Sequence, residues 1–207
     1  MKKKFFITGI STEVGKTVVS AMVVEALGAD YWKPVQAGDL DESDTHKVSG
    51  LISNTKTKMH PNAYALHTPM SPHAAAGIDG VHIEAGTISE PRTDNHLVIE
   101  GAGGLLVPLN EKETIADLIR PDYRVLLVSR NYLGSINHTL LTVEALKRRN
   151  ARIAGIIISG AENPSTESVI EKMGGVHIVF RIREEEHFDR EVVRRYATRL
   201  LPVLEGL

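Results

Sequence analysis

The stretch GISTEVGKT, Gly9 to Thr17, constrains the fold more than any other part of the chain. It follows the apolar run FFIT and opens the run KTVVSAMVVEALGA, so it reads as a glycine turn joining a strand to a helix. Such a turn exposes several backbone N–H groups, and the helix start adds partial positive charge, which together favour a bound anion. Lys16 is placed to reach terminal phosphates, and the Thr17 hydroxyl to meet a Mg²⁺ ion. A bare GKT would fit an ordinary glycine turn equally well; the strand before it and the helix after it favour a nucleotide site. Five residues separate Gly9 from Gly15, where the common ATPase loop has four.

Apolar runs and amphipathic stretches alternate along the rest of the chain. Strands are predicted at KFFITG, DYWKPV (stopped at Pro34), HLVIEGAGG (entering a glycine turn), RVLLVS, RIAGIIIS and VHIVFRI, with a short extended run at GLLVPL. Helices are predicted after the loop and at DTHKVSGLIS, TIADLIR, SINHTLLTVEALKRRN, TESVIEKMG and REVVRRYATRLLPVL. Runs of continuous Val, Ile and Leu suit strands covered on both faces, as in a parallel sheet. The expected class is therefore α/β: a doubly wound, mostly parallel sheet with helices on both faces. Residues 54–93 are less regular and read either as loops and short helices at one end of the sheet or as a surface insertion.

At 207 residues the chain suits a single domain, expected over residues 1–207. The formal charge of −2, with both signs interspersed, points to neither nucleic acid nor a membrane as partner. The absence of cysteine excludes disulfides, thiolate metal sites and cysteine nucleophiles. The apolar run near the N-terminus is too short for a signal peptide, and no segment suits a bilayer span, so a cytoplasmic protein is expected. The nine histidines show no HxH or HExxH spacing. Ser11, Ser71 and Ser135 stand in no G-x-S-x-G context, which argues against a serine hydrolase.

A Mg²⁺ ion on phosphates usually needs one or two carboxylates. Glu100 is the best placed, since it ends the run LVI before GAGG, at the carboxyl end of a strand where open α/β sheets bind ligands. Asp44 lies in DLDESDT, which read alone is a solvated helix start. Lys33 follows an aromatic pair and precedes Pro34, again at a strand end. An isolated lysine there is ordinarily solvated, but this one could point into the same crevice.

Taken in order, GISTEVGKT, KPVQAG, SDT, SPHAAA, VIEGAGGLLVPL and LGSINHTLLT resemble the dethiobiotin synthetase family, over about residues 4 to 145. The resemblance implies a P-loop-type α/β homodimer. It would use ATP, Mg²⁺ and CO₂ to close a ureido ring on 7,8-diaminopelargonate through a carbamate and a carbamic–phosphoric anhydride. It places Lys16 and Lys33 on the reacting anions, with Thr12 and Glu13 close to the carbamate and γ-phosphate. Thr17, Asp44 and Glu100 would hold Mg²⁺. Glu13, Val14, Gly15, Lys16, Thr17 and Val18, then Glu100, Gly101 and Gly103, then Ser159, would bind the nucleotide. Thr12, Lys33, Ala37, Ser71 and Pro72 would contact the diamine, while Leu133, Gly134, Ser135 and Asn137 would hold its carboxylate across the dimer interface. The extra loop residue would bend Thr12 and Glu13 towards the acceptor.

The chain departs from the family pattern at three points. Ala37 stands where a hydroxyl residue is usual, at a loss of about 0.5–1.5 kcal/mol for a neutral hydrogen bond. Ser159 and Gly160 replace an asparagine that reads adenine, with Asn163 out of register, which implies looser base selectivity. The run HIVFRIREEEHF lacks the usual IP turn. Among other readings, a ParA/MinD-like switch ATPase would carry a lysine early in the loop, and none lies between Gly9 and Gly15. Cobyrinate amidase relatives need a glutaminase domain and a cysteine. A non-catalytic nucleotide-binding module would show no substrate-dependent ADP release.

Overall fold

The computed structural model describes residues 2–207. Its centre is a seven-stranded sheet in the order β4-β2-β6-β1-β7-β8-β9. These strands are β1 (Lys4–Gly9), β2 (Asp30–Trp32), β4 (Met59–His60), β6 (Leu97–Gly104), β7 (Arg124–Arg130), β8 (Ile153–Ser159) and β9 (Ile178–Ile182). Every pairing in it is parallel. The expected class is the observed one. All strand carboxyl ends therefore share one edge, and the winding reverses around β1, where α/β sheets open a crevice.

Period-two alternation divides the core. Phe5, Ile7, Tyr31 and Val98 pack on the face covered by α1 (Lys16–Leu27), α2 (Asp44–Leu51) and α6 (Arg190–Gly206). Phe6, Trp32, Leu97 and Ile99 face the opposite side. There they meet Ala75 and Ala76 of α3 (Pro72–Ile78), Leu146 of α4 (Ser135–Arg148) and the turn around Ile115. The remaining helix, α5 (Pro164–Gly174), packs against α4. This alternation puts Lys33, two residues after Tyr31, and Glu100, two after Val98, on the α1 face.

Several local readings need correction. DYWKPV is two strands: the ladder ends at Trp32, before a proline that cannot donate to it. The chain then resumes as β3 (Val35–Ala37), paired in a separate sheet with β5 (Tyr64–Leu66). The irregular region 54–93 therefore supplies the edge strand β4, the partner strand β5 and α3. β6 does not turn at its glycines but continues to Gly104. Between the pairs Ile7↔Glu100 and Gly9↔Gly104, β1 advances two residues and β6 four, so GAGG is a bulge that bends the strand just after Glu100. GLLVPL leaves the sheet in a turn closed by Val107 N–H on Gly104 O, and Pro108 forms an isolated antiparallel bridge with Thr114. TIADLIR forms only a 3-10 turn, Ile115–Leu118, because Pro121 follows and disfavours helical geometry at Arg120.

The loop after β1 requires its glycines. Gly15 has φ 96°, a left-handed conformation that a side chain would strain. At Gly9 a Cβ would lie 2.7 Å from Val14 Cγ2 and 2.8 Å from the Ser11 carbonyl oxygen. Gly9→Ala is expected to lower the unfolding free energy by about 1–3 kcal/mol through overpacking, measured by urea unfolding. Gly50→Ala, in α2 with nothing within 4 Å, is expected to be neutral or stabilising. Equal effects of the two would contradict this account of the loop.

Candidate functional site

At the carboxyl edge four segments bring their polar side chains together. Lys33 Nζ is ion-paired with the carboxylates of Asp44 and Glu100, the latter at 3.3 Å. Thr17 Oγ1 lies 3.1 Å from Asp44 Oδ1 and 3.0 Å from Glu100 Oε1. The Tyr31 hydroxyl donates to Glu100 Oε2 at 3.0 Å. Lys16 Nζ donates to Ser11 O at 3.1 Å, inside the loop. Glu100 is 1% exposed, Lys33 4% and Lys16 7%, so the group is shielded from solvent.

Burial sets the electrostatics. It pulls the Lys16 ammonium below the ordinary lysine range, and Lys33 pushes in the same direction against the attraction of Glu100. It would lower Lys33 too, but Glu100 and Asp44 more than offset it and hold that ammonium above its usual value. Burial alone would raise the Asp44 carboxyl; Lys33 and the Thr17 hydroxyl hold it below the usual range. Burial, then Glu100, pushes the Tyr31 phenol well up, so it acts as a donor.

The donor chemistry fits a hard divalent ion. Thr17, Asp44 and Glu100 turn three oxygen atoms towards one another, and the Thr17 hydroxyl has a single proton to share between two carboxylates. No group of three His, Cys, Asp or Glu side chains that could hold a metal occurs among the described residues. The set is therefore not an all-protein cage but suits an ion that arrives with phosphate oxygens.

Six of the remaining candidates line two cavities. One, of about 340 Å³, is lined by Glu13, Val14, Gly15 and Val18 together with Ser159 and Phe188. The other, of about 410 Å³, is lined by Ser11, Thr12, Val107, Pro108, His138 and Leu141. Thr12 and Glu13 are adjacent, yet they line different cavities. Glu13 has φ 58°, unusual for a residue with a side chain and a local strain at the widened part of the loop. The Ser159 hydroxyl donates to Val14 O at 3.0 Å, so it ties β8 to the loop. A larger cavity of about 800 Å³, beside His73, Ile83 and Lys112, holds none of the clustered residues.

Other candidates lie at the periphery. A Cβ at Gly103 would be 3.6 Å from Thr12 Oγ1, whereas Gly101 faces Ile115. Ala37 is half-buried on β3, next to Gln36, whose side chain holds Gly38 O and the Asp44 N–H. Ser71 caps α3, with Pro72 as its first residue, and His73 N–H reaches Pro108 O, which ties α3 to the Thr12 cavity. Gly134 caps α4 and Ser135 is buried, while Leu133 and Asn137 are exposed; no hydrogen bond joins these four to the lysine–carboxylate group among the described residues. Of the acidic run, Asp39, Asp41 and Glu42 are exposed and only Asp44 turns inward. Sequence reasoning missed Tyr31, although its place two residues before Lys33 on a strand was a usable signal. It also missed Arg130, Ile182 and Phe188 at the smaller cavity, which no motif marks.

Lys33→Met leaves two carboxylates facing each other in a buried site and is expected to destabilise the fold by about 3 kcal/mol in urea unfolding. Adding Glu100→Gln is expected to recover part of that loss. A single variant within about 0.5 kcal/mol of the parent would contradict the pairing.

A family model described as an AAA domain matches residues 3–192. The chain is 62% identical to the ATP-dependent dethiobiotin synthetase BioD of Christiangramia forsetii, over 95% of each chain. It is 52% identical to the protein of the same name from Cytophaga hutchinsonii, over 96% of this chain and 97% of that one. Among solved structures, the cell division ATPase MinD of Pyrococcus furiosus superposes with a TM-score of 0.63 at 13% identity, covering 100% of this chain and 99% of that one. MinD complexed with Mg-ADP from Pyrococcus horikoshii gives 0.58 at 13% identity, over 99% and 88%. At that identity the MinD structures speak for the fold alone. The two synthetases match along nearly their whole lengths, and on that ground the chain belongs to the ATP-dependent dethiobiotin synthetase family.

Proposed function

We propose that residues 1–207 form a single-domain dethiobiotin synthetase, which uses ATP, Mg²⁺ and CO₂ to close the ureido ring of 7,8-diaminopelargonate. The observation that carries this reading is the convergence of Lys16, Lys33, Thr17, Asp44 and Glu100 at one sheet edge. Two further expectations rest on the resemblance: a homodimer, and a carboxylate site built by Leu133, Gly134, Ser135 and Asn137 of one protomer for the other's substrate; a cytoplasmic location is a separate expectation from the sequence. The full exposure of Leu133 suits such an interface.

The chemistry explains the charges. One amine adds to CO₂ and loses a proton, giving a carbamate. A carbamate oxygen then attacks the γ-phosphorus and ADP leaves. The second amine attacks the resulting anhydride at carbon, and phosphate departs. Carbamate and γ-phosphate repel each other, so the protein's main tasks are positioning and charge neutralisation. Lys16 and the loop N–H groups from Glu13 to Val18 hold the phosphates, and Lys33 faces the acceptor. Held by Thr17, Asp44 and Glu100, a Mg²⁺ ion would supply further positive charge at the phosphate oxygens. Thr12 serves the acceptor side with Ser71 and Pro72, and Glu13 the nucleotide side. With the Ser159 hydroxyl committed to Val14 O, that residue offers the base little, which favours loose base selectivity.

ADP release is expected to require both diaminopelargonate and bicarbonate, and Lys16→Gln to lower kcat about 100-fold or more. The same ADP release without diamine would instead favour a switch ATPase. Because their side chains line separate cavities, Thr12→Val is expected to lower turnover of the diamine, and Glu13→Ala to raise the nucleotide KM, each about tenfold. Full activity in both variants would remove the loop from the reaction.

A further inference from the structure

Glu100 presents its two oxygens to different surroundings. Oε1 meets Thr17 and Lys33, the side where an ion would bind. Oε2 points the other way and accepts from the Tyr31 hydroxyl at 3.0 Å. Among the described residues that phenol is the only hydrogen-bond donor to Oε2. Tyr31 is fully buried, 0% exposed, with its ring in the core under α1. The pairing follows from register. β2 and β6 run parallel with Tyr31 opposite Val98, so Tyr31 and Lys33 lie on the same face as Val98 and Glu100. Strand β2 and the residue just beyond it thus hold the carboxylate at both oxygens, Tyr31 as a neutral donor from the core and Lys33 as a charged one from the crevice.

We propose that Tyr31 is a positioning residue that fixes the rotation of the Glu100 carboxylate, leaving Oε1 directed at the metal position. This rests on the reading of Glu100 as a metal ligand and deepens it. Without the hydroxyl, Oε2 is left buried and unpartnered, and the carboxylate turns towards Thr17 and Lys33 to recover a donor. Partners behind a ligand of this kind typically govern metal affinity or activity by about 10–100-fold.

Mn²⁺ binding to the full chain in the presence of ADP, read from the electron paramagnetic resonance signal of free Mn²⁺, tests this without any diamine or CO₂. Tyr31→Phe keeps the ring and is expected to raise the Mn²⁺ Kd about tenfold, with circular dichroism unchanged. Because Tyr31 acts through Glu100, the pair Tyr31→Phe/Glu100→Gln is expected to bind within about twofold of Glu100→Gln alone. Trp32→Phe, which disturbs β2 on its other face, is expected to leave the Kd within about twofold of the parent and so controls for general loosening. The proposal is overturned by a Tyr31→Phe Kd within twofold of the parent, by losses that multiply in the double variant, or by an equal loss in Trp32→Phe. Parental affinity in Glu100→Gln would overturn the metal reading and this inference together. A parent that binds Mn²⁺–ADP with the expected variant pattern but makes no dethiobiotin would sink the proposed reaction while leaving Tyr31's role intact.

Discussion

The burial of the Glu100 carboxylate is the constraint on which the site depends. A lone carboxylate at 1% exposure would cost several kcal/mol, so it must be partnered on all sides. Its partners come from separated parts of the chain: Thr17 from the start of α1, Tyr31 on β2, and Lys33 just beyond it, itself held by Asp44 at the start of α2. No segment can move far without leaving a buried charge unpaired. The same demand links the phosphate loop to the strand ends beside it, and a ligand site follows from a requirement of folding.

The group is electrically balanced, with Lys16 and Lys33 against Asp44 and Glu100, and that balance suits a site that must receive anions and a cation together. Two lysines alone would hold phosphate without placing an ion; two carboxylates alone would repel the reactants. The widened loop adds a second form of control. Glu13, with its left-handed backbone, and the adjacent Thr12 line different cavities, which on the proposed reading are a nucleotide side and an acceptor side.

Much of this was legible in the sequence, for physical reasons. The strand–loop–helix unit is local, and its glycines meet close contacts and a positive φ that only glycine accepts readily. Continuous apolar runs in β1, β7 and β8 suit strands covered on both faces. Glu100 and Lys33 were placed by their positions at strand ends. What was not legible depended on distant pairing. The bulge at GAGG follows from register with β1, which the residues of β6 alone do not specify. The helix expected at TIADLIR is only a 3-10 turn ahead of Pro121, and beyond the expected stop at Pro34 the chain resumes as β3, whose pairing with β5 no local signal marks. The acidic run around Asp44 looked uniformly solvated, since only tertiary structure turns Asp44 inward and leaves Asp41 and Glu42 outside. Phe188 and Arg130, at the cavity beside Val14 and Ser159, carry no motif at all.

The most direct test of the central claim is a crystal structure with Mg²⁺, a non-hydrolysable ATP analogue and the diamine. The account predicts an ion about 2.1 Å from Thr17 Oγ1 and from the carboxylates of Asp44 and Glu100, with Lys16 on the phosphates and Lys33 facing the amine. An ion bound away from Glu100, or a diamine outside the Thr12 cavity, would contradict it.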